Sequence, residues 1–228
     1  MRFKKKWYGF LFGELSKKLV RRDFLHRNMK ICNSGSILFK TKEVSGNGNC
    51  LSLGKNSLIY ENILIVKGDN NKIIIGDNCK LGKNCKLYVL GSNCELRIGN
   101  KCTFSHDVEL LVQENDSKII IGEDCMFSHH INVRTSDEHS VYDKNTGKRS
   151  NQAKDVFIGN HVWVTPEVII HKGCSIGNGV IIATRSIVTK DIPDNALAAG
   201  MPAKVLKQNI CWGRSLKNEI IDSTVTVR

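Results

Sequence analysis

The sequence predicts an all-β protein built as a parallel β-helix, and three repeated features support this fold class. An aliphatic residue opens a block every six residues, a small residue often follows it, and polar excursions recur at a fixed interval. From Ile158 the chain reads IGNHVW, VTPEVI, IHKGCS, IGNGVI, IATRSI and VTKDIP in unbroken register. A period of six suits short strands that bend at regular corners and point one aliphatic side chain each into a shared interior.

The same period extends upstream of Ile158. Blocks that begin with an aliphatic residue and a glycine start at Leu53, Ile75, Ile98 and Ile121, and the last three starts are 23 residues apart. That spacing accommodates three six-residue strands and an excursion of about five residues in each coil. We therefore assign residues 46–200 to the β-helix.

Five of the nine cysteines occupy the fifth position of a repeat block, where a small side chain must fit inside a corner. Serine or valine fills this position in other blocks. We therefore interpret these cysteines as structural rather than as disulfide partners, which fits a reducing cytoplasm. They are Cys79, Cys85, Cys102, Cys125 and Cys174.

The composition limits the classes of function. Hydrophobic residues make up 41% of the 228 residues, and no stretch approaches the roughly 18 consecutive apolar residues that a membrane-spanning helix needs. The formal charge of +12 favours negatively charged partners, such as nucleic acid, anionic lipid, an acidic glycan or cofactor phosphates. A nucleic-acid function has only this charge in its favour, because we find no nucleic-acid-binding motif, and we expect no nucleic-acid partner.

Residues 1–45 are predicted to form a basic N-terminal extension or cap that is partly helical. A basic amphipathic helix can bind an anionic membrane, and it can equally cap the open end of a solenoid. The protein is then expected in the cytoplasm, either free or at the inner face of the membrane. Four-residue spacing would cluster five apolar side chains along this helix, namely Phe3, Trp7, Leu11, Leu15 and Leu19.

One long loop interrupts the repeat. The repeat stops after Val133 and resumes at Ile158, which leaves residues 134–157 as a polar excursion, and a loop this long inside a compact repeat is usually functional. Its single histidine, His139, is either a general base, since imidazole exchanges protons near neutral pH, or a solvated loop residue. Asp137 either orients an imidazole or caps a turn.

Several segments resemble those of a known family in content, order and spacing. The segments SDEHSVYD, KRSNQAKDVFIGNHVW, VIIATRSIVTKDIP and AAGMPAKVL resemble the capsule polysaccharide and sialic acid O-acetyltransferases, which are hexapeptide-repeat acyltransferases. The resemblance implies a left-handed β-helix, a homotrimer, and transfer of an acetyl group from acetyl-CoA to a hydroxyl of a bacterial surface glycan. It also implies His139 as the catalytic base and Trp163 beside the thioester and the acceptor.

The resemblance also implies where the substrates bind. Coenzyme A is long and carries several phosphate charges, so a groove between coils that ends in cations suits it. We assign Tyr142 and Asp143 to the acceptor pocket, with ordinary loop packing as the alternative. The lysines of the C-terminal tail, residues 201–228, either meet the phosphates or belong to a solvated charged segment. From the thioester to the phosphates, the implied groove residues are Thr165, Pro166, Thr184, Thr189, Lys190, Lys204 and Lys207.

Other functions remain open from the sequence. An N-acetyltransferase acting on an amino sugar, or a serine acetyltransferase, would share the fold and the cofactor groove, and a non-catalytic β-helix is the alternative from another class. A cysteine nucleophile would make Cys125 or Cys174 essential, which their repeat positions argue against. Zinc carbonic anhydrases also use a left-handed β-helix, but no histidine triplet here matches their spacing, so we expect no metal ion. The positive charge and the resemblance favour an acidic acceptor, with sialic acid units as the leading choice.

Overall fold

The computed structural model describes residues 29–216, and every regular element in this range is a β-strand. The strands form a parallel β-helix whose coils have three faces. The first face is a seven-stranded sheet with one strand per coil. Its strands are β1 (Met29–Asn33), β3 (Asn49–Leu53), β5 (Lys72–Ile75), β8 (Glu95–Ile98), β11 (Lys118–Ile121), β14 (Val156–Ile158) and β17 (Ser175–Ile176).

The second and third faces belong to one 14-stranded sheet, because β2 (Ser36–Ser45) and β4 (Leu58–Lys67) bend from one face into the other. The second face contains β6 (Lys80–Leu81), β9 (Thr103–Phe104), β12 (Met126–Phe127), β15 (Trp163–Val164), β18 (Ile181–Ile182) and β20 (Leu197–Gly200). The third face contains β7 (Lys86–Leu90), β10 (Val108–Gln113), β13 (Ile131–Arg134), β16 (Ile169–Ile170) and β19 (Ile187–Val188). A last strand, β21 (Ala203–Lys207), pairs antiparallel with β20.

The predicted repeat is confirmed at the level of residue register. Ile75 pairs with Ile98, and Ile98 pairs with Ile121, so the 23-residue spacing is the length of one coil. All three isoleucines are buried in the common core. Burial of each such side chain contributes about 1.5–3 kcal/mol, and stacking adds these contributions along the solenoid axis.

The corners explain which residues the repeat requires. The fourth residue of many blocks has a left-handed backbone, as at Asn78 (φ 58°) and Asn84 (φ 57°), and Asn tolerates this conformation better than most residues do. The second residue is often glycine because successive coils approach closely there. A Cβ on Gly99 would lie 2.6 Å from the carbonyl carbon of Gly122 in the next coil.

The fifth-position cysteines are buried, as predicted. Cys79, Cys102 and Cys125 stack in consecutive coils, and each Sγ donates a hydrogen bond to a glycine carbonyl of the next coil at 3.0–3.1 Å. All nine cysteines of the chain are free thiols. The column therefore fills the corner and satisfies backbone acceptors without forming disulfides.

The solenoid begins earlier than the glycine-containing blocks suggest. β1 and β2 continue the two sheets within residues 29–45, a segment that we assigned to the N-terminal extension, because alternating apolar side chains form strands there without the glycine signature. The predicted amphipathic helix and residues 217–228 of the tail lie outside the described residues. Within residues 29–216, no helix has the length and apolar character that crossing a membrane requires.

Candidate active site

The long loop leaves the solenoid between β13 and β14, at the corner where the third face meets the first. An ion pair anchors the loop to the solenoid. Arg149 donates hydrogen bonds to both carboxylate oxygens of Glu114 at 2.6 and 2.7 Å. Ser136 donates to the same carboxylate at 2.6 Å. The hydrogen bond from Arg149, supported by the one from Ser136, lowers the pKa of Glu114 to about 2. Glu114 belongs to the preceding coil, so the loop is fixed to the rigid scaffold rather than only to itself.

His139 is held through its backbone. Its N–H donates to the carbonyl of Asp137 at 2.8 Å, and the Asn151 side chain donates to the His139 carbonyl at 2.8 Å. The side chain is exposed, and its imidazole makes no hydrogen bond with any described residue. Both ring nitrogens are therefore available to a substrate, which is what a general base requires.

Asp137 connects the loop to the coil above. Its Oδ2 accepts hydrogen bonds from Lys172 Nζ at 2.5 Å and from Asn151 Nδ2 at 3.0 Å. The hydrogen bond from Lys172 is the main reason that the pKa of Asp137 lies below its usual value. Its hydrogen bonds within residues 29–216 thus fix the loop, and none goes to the His139 ring.

The loop tip is a short hairpin-like excursion. The backbone of Tyr142 forms an isolated antiparallel β-bridge with that of Arg149, and Tyr142 is 62% exposed. Asp143 Oδ1 accepts hydrogen bonds from the backbone N–H groups of Asn145 and Thr146 at 2.9 and 2.8 Å. These hydrogen bonds, above all the one from Thr146, lower the pKa of Asp143. Asp143 therefore caps the tip, whereas Tyr142 presents an aromatic ring to solvent.

Trp163 lies on β15, in the second face. Its ring centroid is 5.7 Å from that of Trp212, and its buried Nε1 has no hydrogen-bond partner within the described chain. A three-sided coil places the second face across the core from the corner that carries the loop. A single chain therefore does not bring His139 and Trp163 together.

The implied cofactor residues fall into three groups. Thr165 and Thr184 meet where the second face turns into the third, with Thr184 Oγ1 donating to Thr165 Oγ1 at 3.3 Å and Pro166 beside them. Thr189 and Lys190 directly follow β19, in the same coil as Thr184, and are exposed at the corner where the third face meets the first. Lys204 and Lys207 are exposed on β21, beside the end of the second face. The first group is compact, and the other two lie away from it.

The C-terminal segment packs against the second face through Trp212 and Arg214, and the sequence analysis did not predict these contacts. Trp212 stacks on His161 with ring centroids 4.1 Å apart, and its Nε1 donates to the His161 carbonyl at 2.9 Å. Asp124 accepts from Arg214 at 2.9 Å and contacts His161 Nδ1 at 2.7 Å. An isolated tryptophan after the repeat was the available signal, but its partner lies 51 residues away.

The cysteine nucleophile has no support from the geometry. Burial raises the pKa of Cys174 to about 11, and its side chain is 1% exposed. The neighbouring Cys102 thiol lowers the pKa of Cys125, but Cys125 is 0% exposed, so no substrate reaches its sulfur.

Comparison with known proteins identifies relatives of this chain, although no protein-family model matches it. The chain is 44% identical over 89 residues to a polysialic acid O-acetyltransferase of Escherichia coli O1:K1 / APEC, a match that spans 39% of this chain and 29% of that relative's length. It is 36% identical over 181 residues to a polysialic acid O-acetyltransferase of Neisseria meningitidis, spanning 76% of this chain and 79% of the relative.

The fold agrees with that of a solved relative. The polysialic acid O-acetyltransferase OatWY superposes with a TM-score of 0.74 at 33% identity, covering 85% of this chain and 90% of OatWY. The left-handed β-helix that the resemblance implied is thereby confirmed.

Proposed function

The chain belongs to the hexapeptide-repeat acetyltransferases, in the group of the polysialic acid O-acetyltransferases, and we propose that it moves an acetyl group from acetyl-CoA to a hydroxyl of an acidic bacterial surface glycan. The anchored loop carries this proposal. It holds the backbone of His139, whose imidazole is exposed, at the solenoid corner through Asp137, Asn151 and Lys172. A solvated loop without a role would not need an ion pair and this hydrogen-bond network at its base.

In the proposed reaction, His139 takes the proton of the acceptor hydroxyl while that oxygen attacks the thioester carbonyl. The new carbon–oxygen bond forms, the carbon–sulfur bond breaks, and the proton passes from the imidazolium to the departing CoA thiolate. No acetyl-enzyme forms. Asp137 acts by holding the loop, through Lys172, in the geometry that aims the base.

Acetyl-CoA would lie along the C-terminal coils. Thr165 and Thr184 offer hydroxyl groups at one corner, and the indole ring of Trp163 lies on the adjoining second face, where it would pack beside the thioester. Further along, the exposed cations suit the phosphates. They are Lys190, Lys204 and Lys207.

A homotrimer is part of the proposal, because His139 and Trp163 lie on opposite sides of one chain. In a symmetric ring, the loop corner of one subunit would face the second face of its neighbour. Each active site would then take its base from one subunit and its tryptophan from the next.

The acceptor is proposed to be acidic. The charge of +12 attracts polyanions, and the relatives named above act on polysialic acid. Exposed Tyr142 would provide an apolar surface to a sugar ring beside the base. We further propose that the protein works in the cytoplasm, with its basic N-terminus near the inner membrane surface.

The direct test is to follow release of the CoA thiol from acetyl-CoA with the purified protein. The acceptors are polysialic acid, free sialic acid, neutral oligosaccharides, glucosamine and serine, and mass spectrometry locates the acetyl group. Variant His139→Ala should lose acceptor-dependent release, and Asn145→Ala, an exposed change in the same loop, should retain it.

An alkali-labile ester on a sialic acid unit would support the proposal. Acetylation of an amine or of serine would place the enzyme in the alternative class of acetyltransferases. Full activity of His139→Ala would overturn the assignment of His139 as the base. No thiol release with any acceptor, together with no binding of acetyl-CoA, would favour a non-catalytic β-helix.

A further inference from the structure

A cluster of histidines occupies the corner between the second and third faces, away from the loop that carries His139. His106, Asp107 and His130 each place a potential ligand atom so that all three atoms lie within 4.8 Å of one another. His106 Nδ1 is 2.7 Å from Asp107 Oδ2. His106 and His130 are exposed, and Asp107 is half-buried, so an ion could reach the group directly from solvent.

The coil repeat itself assembles this cluster. His106 and His129 are one coil apart and stack with ring centroids 5.0 Å apart and an interplanar angle of 8°. The His130 ring stands edge-on to both, at 5.7 and 5.2 Å. Three imidazoles and a carboxylate thus project from neighbouring turns of one rigid corner, which is a stronger arrangement than ligands carried on a flexible loop.

The chemistry of the corner suits a cation. Asp107 contributes a carboxylate that contacts His106, whereas Glu167 of the next coil, whose N–H donates to the His129 carbonyl, is already paired with Arg185 at 2.7 Å. A metal ion binds imidazole in its neutral form, through a ring nitrogen.

The donor set points to a particular class of ion. Imidazole suits zinc and other late first-row divalent metals, whereas calcium and magnesium take oxygen ligands. Tetrahedral zinc with Zn–N bonds of about 2.0–2.1 Å needs its ligand atoms about 3.4 Å apart. The three potential ligand atoms lie within 4.8 Å of one another, and rotation of the exposed side chains of His106 and His130 is the adjustment that binding would require.

We propose that His106, His130 and Asp107 bind a divalent transition-metal ion of the zinc type, with His129 stacked beside the site as a further imidazole donor. This site uses none of the residues assigned to acetyl transfer, although it lies at the same corner as Thr165 and Thr184. It departs from our expectation, drawn from sequence spacing, that the protein binds no metal. At a corner of the solenoid that the loop does not touch, the ion would link two successive coils and stabilise the scaffold.

The experiment uses the untagged full-length chain after removal of bound metals with a chelator. Titration with ZnCl₂ by calorimetry should give one ion per chain, and Co²⁺ should give the visible absorption band of a nitrogen-ligated ion. His106→Ala and His130→Ala should each weaken binding by at least about 100-fold, since even changes to groups behind metal ligands weaken binding 10- to 100-fold. Asp107→Asn should weaken it while keeping the shape of the side chain.

The matched control is His139→Ala, which removes another exposed imidazole from a different corner. Binding that keeps its affinity in this variant and weakens in the cluster variants supports the site. The proposal is overturned if Zn²⁺ shows no saturable binding, if binding persists when both His106 and His130 are alanine, or if His139→Ala abolishes it. Thermal melting of each apo variant checks that the fold is intact, and only the wild type and His139→Ala should gain stability from added Zn²⁺.

Discussion

Two variants, combined in the proposed trimer, test where the proposed active site lies. His139→Ala removes the base from the loop, and Trp163→Ala removes the indole from the second face. Each variant alone should be inactive, since every site then lacks one of the two side chains. Co-expression of the two genes should produce mixed trimers in which some sites are complete.

The expected activity follows from the geometry. If each site takes His139 from one subunit and Trp163 from the next, random mixing in equal amounts leaves about one quarter of the sites with both side chains. If both side chains acted within one chain, no mixed site would be complete and activity would stay at zero. The opposite positions of the loop corner and the second face favour the first result.

The assay is acceptor-dependent thiol release from acetyl-CoA, normalised to the trimer concentration. A control mixture contains wild type and the double variant carrying both changes. Shared sites should give about one quarter of full activity in this mixture, whereas sites within single chains should give about one half. A mixture of the single variants that remains inactive, with a control near one half, would refute the shared site.

Three further predictions concern the loop and the core. Glu114→Gln should lower the free energy of unfolding by about 1–3 kcal/mol, because Arg149 loses a charged partner. The folded-state pKa is depressed, so this stabilisation is present above the ordinary value of 4.5 and is lost as the pH falls to about 2, where melting of wild type and variant should converge. Asp137→Asn should slow acetyl transfer by about 10- to 100-fold through a misplaced loop, and Lys172→Met should give a similar loss that does not add to it in the double variant. Alkylation of the native protein should label Cys32 and Cys211 quickly, and mass spectrometry should find the six buried thiols protected until unfolding; rapid labelling of Cys125 would contradict the buried column.

Much of the fold could be predicted because the repeat is a local signal. The period of six determines which side chains point inwards, and the 23-residue spacing determines which isoleucines pair. The start of the solenoid was harder to predict, since the corner between β1 and β2 has Gly35 but lacks the aliphatic–glycine pair that opens later blocks. Alternating apolar residues alone do not distinguish a coil from a separate cap.

The candidate site was only partly predictable. Position in the loop left the role of His139 open, and the family resemblance implied that it is the base. The anchors Lys172 and Glu114 come from other coils, and their spacing along the chain gives no indication of contact. The histidine cluster shows the opposite case. His106 and His129 are 23 residues apart, which is the length of one coil, so this spacing could have predicted that they stack. The histidine spacing of the zinc carbonic anhydrases gave no indication of the cluster.

The place where the long loop is inserted has a consequence for how such enzymes diversify. Ile121 and Ile158 pair in register although 36 residues lie between them, so the solenoid closes as if the insertion were absent. Lengthening a flexible loop adds only about 0.6 kcal/mol per doubling, so replacing an excursion of about five residues with one of about twenty adds roughly 1 kcal/mol. A corner of this kind tolerates new lengths and new chemistry while the coils above and below keep the proposed cofactor groove unchanged. Exchange of residues 135–155 between relatives is therefore a practical route to new acceptor specificity on one scaffold.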